Sequence, residues 1–124
     1  MSPAAEFFEE LRRRGHEALL RRVSATIRFD TTDEGETLHR LVTIDHGDLA
    51  VSDDDRAADG IFRCSKAEFD DLVNGRTNPM ASLLRGALTV EGDPELLVLA
   101  QRLFSCIPVD ALGPRRASEG GQAP

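Results

Sequence analysis

The chain has no tryptophan and no tyrosine, and Lys66 is the only lysine among its fifteen lysines and arginines. Without those two rings, stacking platforms for nucleic-acid bases are scarce. Cysteine is rare too. Cys64 and Cys106 lie far apart in 124 residues and match no metal-ligand spacing, so the expectation is a reduced pair in a cytoplasmic setting. Positive charge is in deficit, with a formal net charge of -7. That field repels phosphate backbones and anionic lipid surfaces, which argues against nucleic acid and leaves membrane contact transient at most. Long hydrophobic runs are missing as well. The longest strongly apolar stretch, Leu96 to Ala100, is far too short to span a bilayer, and the opening residues do not read as a secretory signal. Arginine in place of lysine is a bias expected of a GC-rich, bacterial genome.

Reactive chemistry is equally thin. His16, His39 and His46 fall in a helix, a strand and a turn, none with a serine, cysteine or carboxylate at triad-like spacing. The run "SDDDRAAD" lacks the alternating ligands, central glycine and closing glutamate of a calcium loop. Glu91, Asp93 and Glu95 surround a helix start, where the dipole favours negative charge, so capping accounts for them. Cys64 precedes another helix start, which can activate a thiol. It equally suits a hydrophobic staple against Phe69. The glycines of "NGRTNP" and "LRGALTVEGD" stop helices and turn strands without forming a phosphate loop. The expectation is no metal, no cofactor and no catalytic residue.

What is present is a well-punctuated globular pattern, 40% hydrophobic and 30% charged. It suits one domain, over residues 1–112, with a core that needs no disulfide. The remainder, "GPRRASEGGQAP" from Gly113, reads as a disordered tail over 113–124. The opening "MSPAAEFFEELRRRGHEALLRRVSA" reads as one helix, with Phe8, Leu11, Leu19 and Val23 on its stripe and Pro3 at its start. Its arginines can pair with its own glutamates. "ATIRFDT" and "TLHRLVTID" alternate like half-buried strands, "HGD" supplies a turn, and "LAVS" and "GIFRCS" continue the sheet. Ser65-Lys66-Ala67-Glu68 is a capping box, Asn78-Pro79 starts a second short helix, "ALTVEG" is a late strand, and Asp93-Pro94 starts a last apolar helix. A strand lodged between late helices must return to the sheet by a crossover. The expected fold is α/β (α+β), a mixed sheet of four or five strands with helices mainly on one face.

The ordered set from Asp59 to Phe104, "DGIFRCSKAEFDDLVNGRTNPMASLLRGALTVEGDPELLVLAQRLF", resembles the sterol carrier protein type two family of lipid-binding domains. The features that carry it are the aspartate-led strand, the serine-capped helix, the proline-started helix, the "G-x-L-x-V-x-G-D" strand and the apolar helix. With the upstream helix and strands, the resemblance covers about Phe7 to Phe104. It implies a five-stranded mixed sheet with helices on one side, and an apolar cavity between the layers that holds a lipid or other hydrophobic metabolite, such as a sterol, fatty acid or acyl-coenzyme A. The lining candidates it implies are Phe69, Leu72 and Val73, then Met80, Leu83 and Leu84, with Leu88 and Val90 on the strand and Leu99, Leu103 and Phe104 on the last helix. Ala87 stands where the family commonly has lysine.

Burying about 300 Å² of apolar ligand surface gains roughly 7 kcal/mol, less the cost of ordering the ligand. Micromolar affinity needs about 8 kcal/mol, so the occupant has to be long or sterol-sized. Two other readings remain open at this point. One is a non-catalytic accessory or dimerisation module for a partner enzyme. The other is a small enzyme acting on a bound hydrophobic substrate through His39, His46 or Cys64.

Overall fold

The computed structural model describes residues 2–106; the tail read over 113–124 lies outside them. The first helix, α1 (Pro3–Arg14), is fixed at both ends by sequence. The Ser2 hydroxyl accepts from the Ala5 N–H at 3.2 Å, Pro3 occupies the first turn, and Arg12, Arg13 and Arg14 close the last. The arginines pair with Glu9, Glu10 and Glu17 of the same segment. The helix stops at Gly15, whose φ of 67° is left-handed and whose N–H returns to the Leu11 carbonyl. The single helix expected across residues 1–25 is therefore two pieces. His16 leaves the axis to form a bridge with Asp48, and a 3₁₀ turn at Ala18–Leu20 then carries Leu20 into the core.

The sheet comprises β1 (Ser24–Asp33), β2 (Glu36–Asp45), β3 (Asp48–Ser52), β4 (Gly60–Ser65) and β5 (Leu88–Gly92), in the spatial order β3-β2-β1-β4-β5. All neighbours are antiparallel except β1 and β4, so the sheet is mixed. The β2–β3 hairpin turns on His46 and Gly47, both at positive φ. Register sorts the side chains. Ile27, Phe29 and Thr31 share one face with Val42, Leu49, Phe62, Cys64 and Leu88, and this face is buried. The helices α2 (Lys66–Val73), α3 (Pro79–Leu84) and α4 (Leu96–Cys106) follow. The buried residues of α2 and α4 join the same core as that face, and Leu83 of α3 packs against it.

The parallel pair is reached without a helix. Residues 53–59 cross the opposite face from β3 to β4, and Arg28 donates to the carbonyls of Asp55 and Arg56 on the way. Thr26 and Asp59 exchange hydrogen bonds, each N–H donating to the other's side chain at 2.9 Å. On that face Leu41, cross-strand from Arg28, is buried. Asp30 is buried there too. It accepts from Arg28 at 2.9 Å through both oxygens, from His39 Nδ1 at 2.8 Å, and lies 3.5 Å from Arg63.

The capping box forms in part. Ser65 Oγ accepts from the Glu68 N–H at 3.1 Å. The Glu68 carboxylate, however, turns to the Ser82 hydroxyl and to Arg85 at 2.5 Å, and so ties α2 to α3. Asn78 caps α3 through Ala81, as its sequence predicts.

Candidate functional site

The space between sheet and helices is built from phenylalanine. Phe7 and Phe8 come from α1, Phe29 from β1, Phe62 from β4, Phe69 from α2 and Phe104 from α4, and all six are buried. Phe8 stacks on Phe69 with centroids 5.4 Å apart, and Phe7, Phe29 and Phe104 meet Phe69 edge-on at 5.4–6.0 Å. Such pairs attract beyond their simple burial. The alternation of β1 and the helical stripes of α1, α2 and α4 make this arrangement unavoidable, because each presents its ring to the same layer.

The eleven candidates from the sequence fall into three groups. Phe69, Leu72, Val73, Leu88, Leu99, Leu103 and Phe104 converge in this layer and are buried. Leu83 and Val90 pack on its margin. Met80 and Leu84 do not join it; they are 52% and 80% exposed on the outer side of α3. A six-residue helix closed at both ends can turn only one side inward, and α3 turns in Pro79 and Ser82. An open tunnel would leave the side chains along its wall accessible. Phe69, Leu88 and Leu103 are at most 1% exposed, so among the described residues side chains cover this part of the layer.

Open space is found at one end of the layer. A small crevice, open to solvent, is lined by Ser2, Ala4, Ala5 and Phe8 of the first helical segment, Thr31, Leu38 and Arg40 of the β1–β2 pair, and Lys66 of α2. Its floor, Ala4 and Phe8, belongs to the core. Arg40 is the unexpected residue. Its partner in the ladder is Phe29, so it stands on the helix-covered face, in a row with Leu38, Val42 and Ile44. Its guanidinium lies 5.8 Å from the Phe8 ring centroid. The signal was legible in "LHRLVTI": the apolar side of an alternating strand is interrupted by one arginine, whose body can cover apolar surface while its head stays wet.

The reactive candidates are placed as well. Cys64 is buried, and burial, with help from Glu68 and Asp70, pushes its pKa up to about 12. The thiol is protonated at neutral pH and packs in the same core as Phe69, the staple arrangement. His16 and His46 each hydrogen-bond a neighbouring aspartate at the surface. Among the described residues no His, Cys, Asp and Glu group has the makings of a metal site, and no helix is long and apolar enough to cross a membrane.

Comparison with known proteins bears on this layer. The sequence profile of the SCP-2 sterol transfer family matches residues 8–105. Among solved structures, the sterol carrier protein domain 2 of Helicoverpa armigera is 22% identical, with a TM-score of 0.65 over 81% of this chain and 84% of that one. Sterol carrier protein 2 of Yarrowia lipolytica is 20% identical, with a TM-score of 0.59 over 85% and 76%. Sterol carrier protein 2 of Aedes aegypti, solved in complex with the C16 fatty acid palmitate, is 20% identical, with a TM-score of 0.63 over 87% and 100%. The similarity to these three is one of fold.

Proposed function

The chain belongs to the SCP-2 sterol transfer family, and from that premise we propose that it binds a lipid or comparable hydrophobic metabolite between its sheet and its helices, without turning it over. The observation that carries this reading is the interlayer core itself. It is phenylalanine and aliphatic side chains from four helices and a sheet, and it opens at one end into a crevice with an apolar floor. The palmitate bound by the Aedes aegypti relative favours a long acyl chain as the occupant. The buried, protonated Cys64 and the surface positions of His16 and His46 favour binding over nucleophilic or acid–base chemistry.

Because the layer is closed, the ligand has to enter by displacing side chains, and its apolar contact must replace theirs. The buried group Phe69, Leu72, Val73, Leu88, Leu99, Leu103 and Phe104 would be its wall, with Leu83 and Val90 at the margin. Met80 and Leu84 would lie outside it. Native mass spectrometry of gently purified protein, followed by organic extraction, tests the reading. A stoichiometric extra mass that extracts as an acyl or sterol-like compound is the expected result. A bare protein mass that stays bare after incubation with fatty acids, sterols and phospholipids would overturn it.

A further inference from the structure

The crevice at the end of the layer has a charge that the core behind it lacks. Arg40 and Lys66 both line it, one from the sheet and one from α2. Neither is fully engaged by its neighbours. Arg40 meets Asp53 at 3.4 Å, but that carboxylate is 75% exposed, and among the described residues the only other bond of the guanidinium is to the His39 carbonyl at 3.3 Å. Lys66 meets Asp70 at 3.5 Å, and the other oxygen of Asp70 accepts from the Ala4 N–H. A guanidinium offers five donors and an ammonium three, so each retains donors for a further acceptor.

A second observation points into the same space. Thr31 lines the crevice and is buried, and its hydroxyl has no hydrogen-bond partner among the described residues. The backbone does not supply the recognition. Pro3 has no N–H, and those of Ala4 and Ala5 are taken by Asp70 and Ser2. Three side chains do: two cations and a hydroxyl, set over the apolar floor of Ala4 and Phe8 and beside the exposed Leu38.

We propose that this crevice is a head-group subsite for a single-chain anionic amphiphile, with Arg40, Lys66 and Thr31 donating to its anionic oxygens and its aliphatic chain passing Phe8 into the interlayer core. The proposal rests on the lipid-binding reading above and adds to it a polarity: the charged end sits where α1 and α2 begin. The surrounding carboxylates, Asp53 and Asp70, weaken the positive field, which favours a compact head in direct contact over one held at a distance. The crevice can hold only a compact head group at its mouth; the chain needs the core.

Hexadecanoate, hexadecyl phosphate and hexadecanol share a chain and differ at the head, so their affinities for wild type, Arg40→Leu, Lys66→Gln and the double variant separate the subsite from the core. In wild type the better anionic ligand should bind about tenfold more tightly than the alcohol, the equivalent of one charge-assisted hydrogen bond. Each single variant should shrink that preference, and the double variant should abolish it while the alcohol's affinity stays unchanged. A preference for hexadecanoate identifies a carboxylate head, and one for hexadecyl phosphate identifies a phosphate. Equal binding of acid and alcohol, with the alcohol bound well, overturns the subsite and leaves lipid binding intact. Binding of none of the three overturns both. Should Arg40→Leu fail to fold, Lys66→Gln alone decides: an undiminished anionic preference in that variant excludes Lys66 from the site and refutes the proposal.

Discussion

Asp30 shows how much a single side chain of this fold can hold. Burial alone would raise its pKa, but the hydrogen bonds from Arg28 and His39, joined by their charges, more than offset that and hold it below the ordinary aspartate value. The sign of its contribution follows. A depressed carboxylate pKa stabilises the folded state fully above the unfolded aspartate pKa, near 3.9, and that stability is lost as pH falls through the folded value. Asp30→Asn should therefore lower stability at neutral pH by about 3 kcal/mol, since it strands the nearly buried Arg28 without its partner. It should also flatten the acid limb of the stability curve. Urea unfolding at steps from pH 7 to pH 3 reads both effects; an acid limb as steep as that of wild type would show that Asp30 is not the group responsible. Arg40 is the opposite case, a cation on the inner face whose partners are partial and whose remaining donors suit a ligand better than a fold.

At the scale of elements, α2 and α3 divide the site between them. Leu72 faces the core from α2, and Leu84 projects from α3 into solvent. Leu72→Ala should cost about 2–5 kcal/mol through the cavity it leaves, whereas Leu84→Ala should change stability by no more than about 0.5 kcal/mol. Paired thermal or urea melts check this, and equal losses would mean that α3 is rotated from the orientation described here. Both leucines looked alike in the sequence, because a helix of one and a half turns has too few residues for its apolar stripe to define a side. Much else was legible. Caps at Ser2, Ser65 and Asn78 marked helix starts, strict alternation marked β1 and β2, and the glycine of His46-Gly47-Asp48 marked the hairpin. The break in the first helix was written in Gly15, but the apolar stripe continued past it. What redirects the chain after Gly15 is a long-range bridge, His16 to Asp48, which no local pattern encodes. The same holds for the path of residues 53–59. Their acidic composition said loop, and only the register of β1 with β4 says that the loop crosses a sheet face. The closure of the interlayer space was also beyond the sequence, since apolar faces specify what meets and not how tightly six rings interlock.

At the scale of the whole molecule, charge sets the terms on which any lipid is met. The net charge is -7, and the basic run that closes α1 is largely neutralised, because Arg12, Arg13 and Arg14 are paired with Glu9, Glu10 and Glu17. An approaching anionic bilayer is therefore repelled over a Debye length of about 8 Å at physiological salt, while a single anionic amphiphile free in solution can still reach the two cations of the crevice at contact range. These opposing effects act at different distances, so they can be separated. Sedimentation with vesicles should retain less protein on phosphatidylglycerol than on phosphatidylcholine at low salt, and raising the salt should narrow the gap by relieving the repulsion. Stronger retention on phosphatidylglycerol, weakening with salt, would mean that an unpaired basic surface dominates the encounter despite the net charge. The expected pattern would instead favour collection of monomeric lipid from solution over extraction at an anionic membrane, with the charge of the head recognised only after the long-range field has been passed.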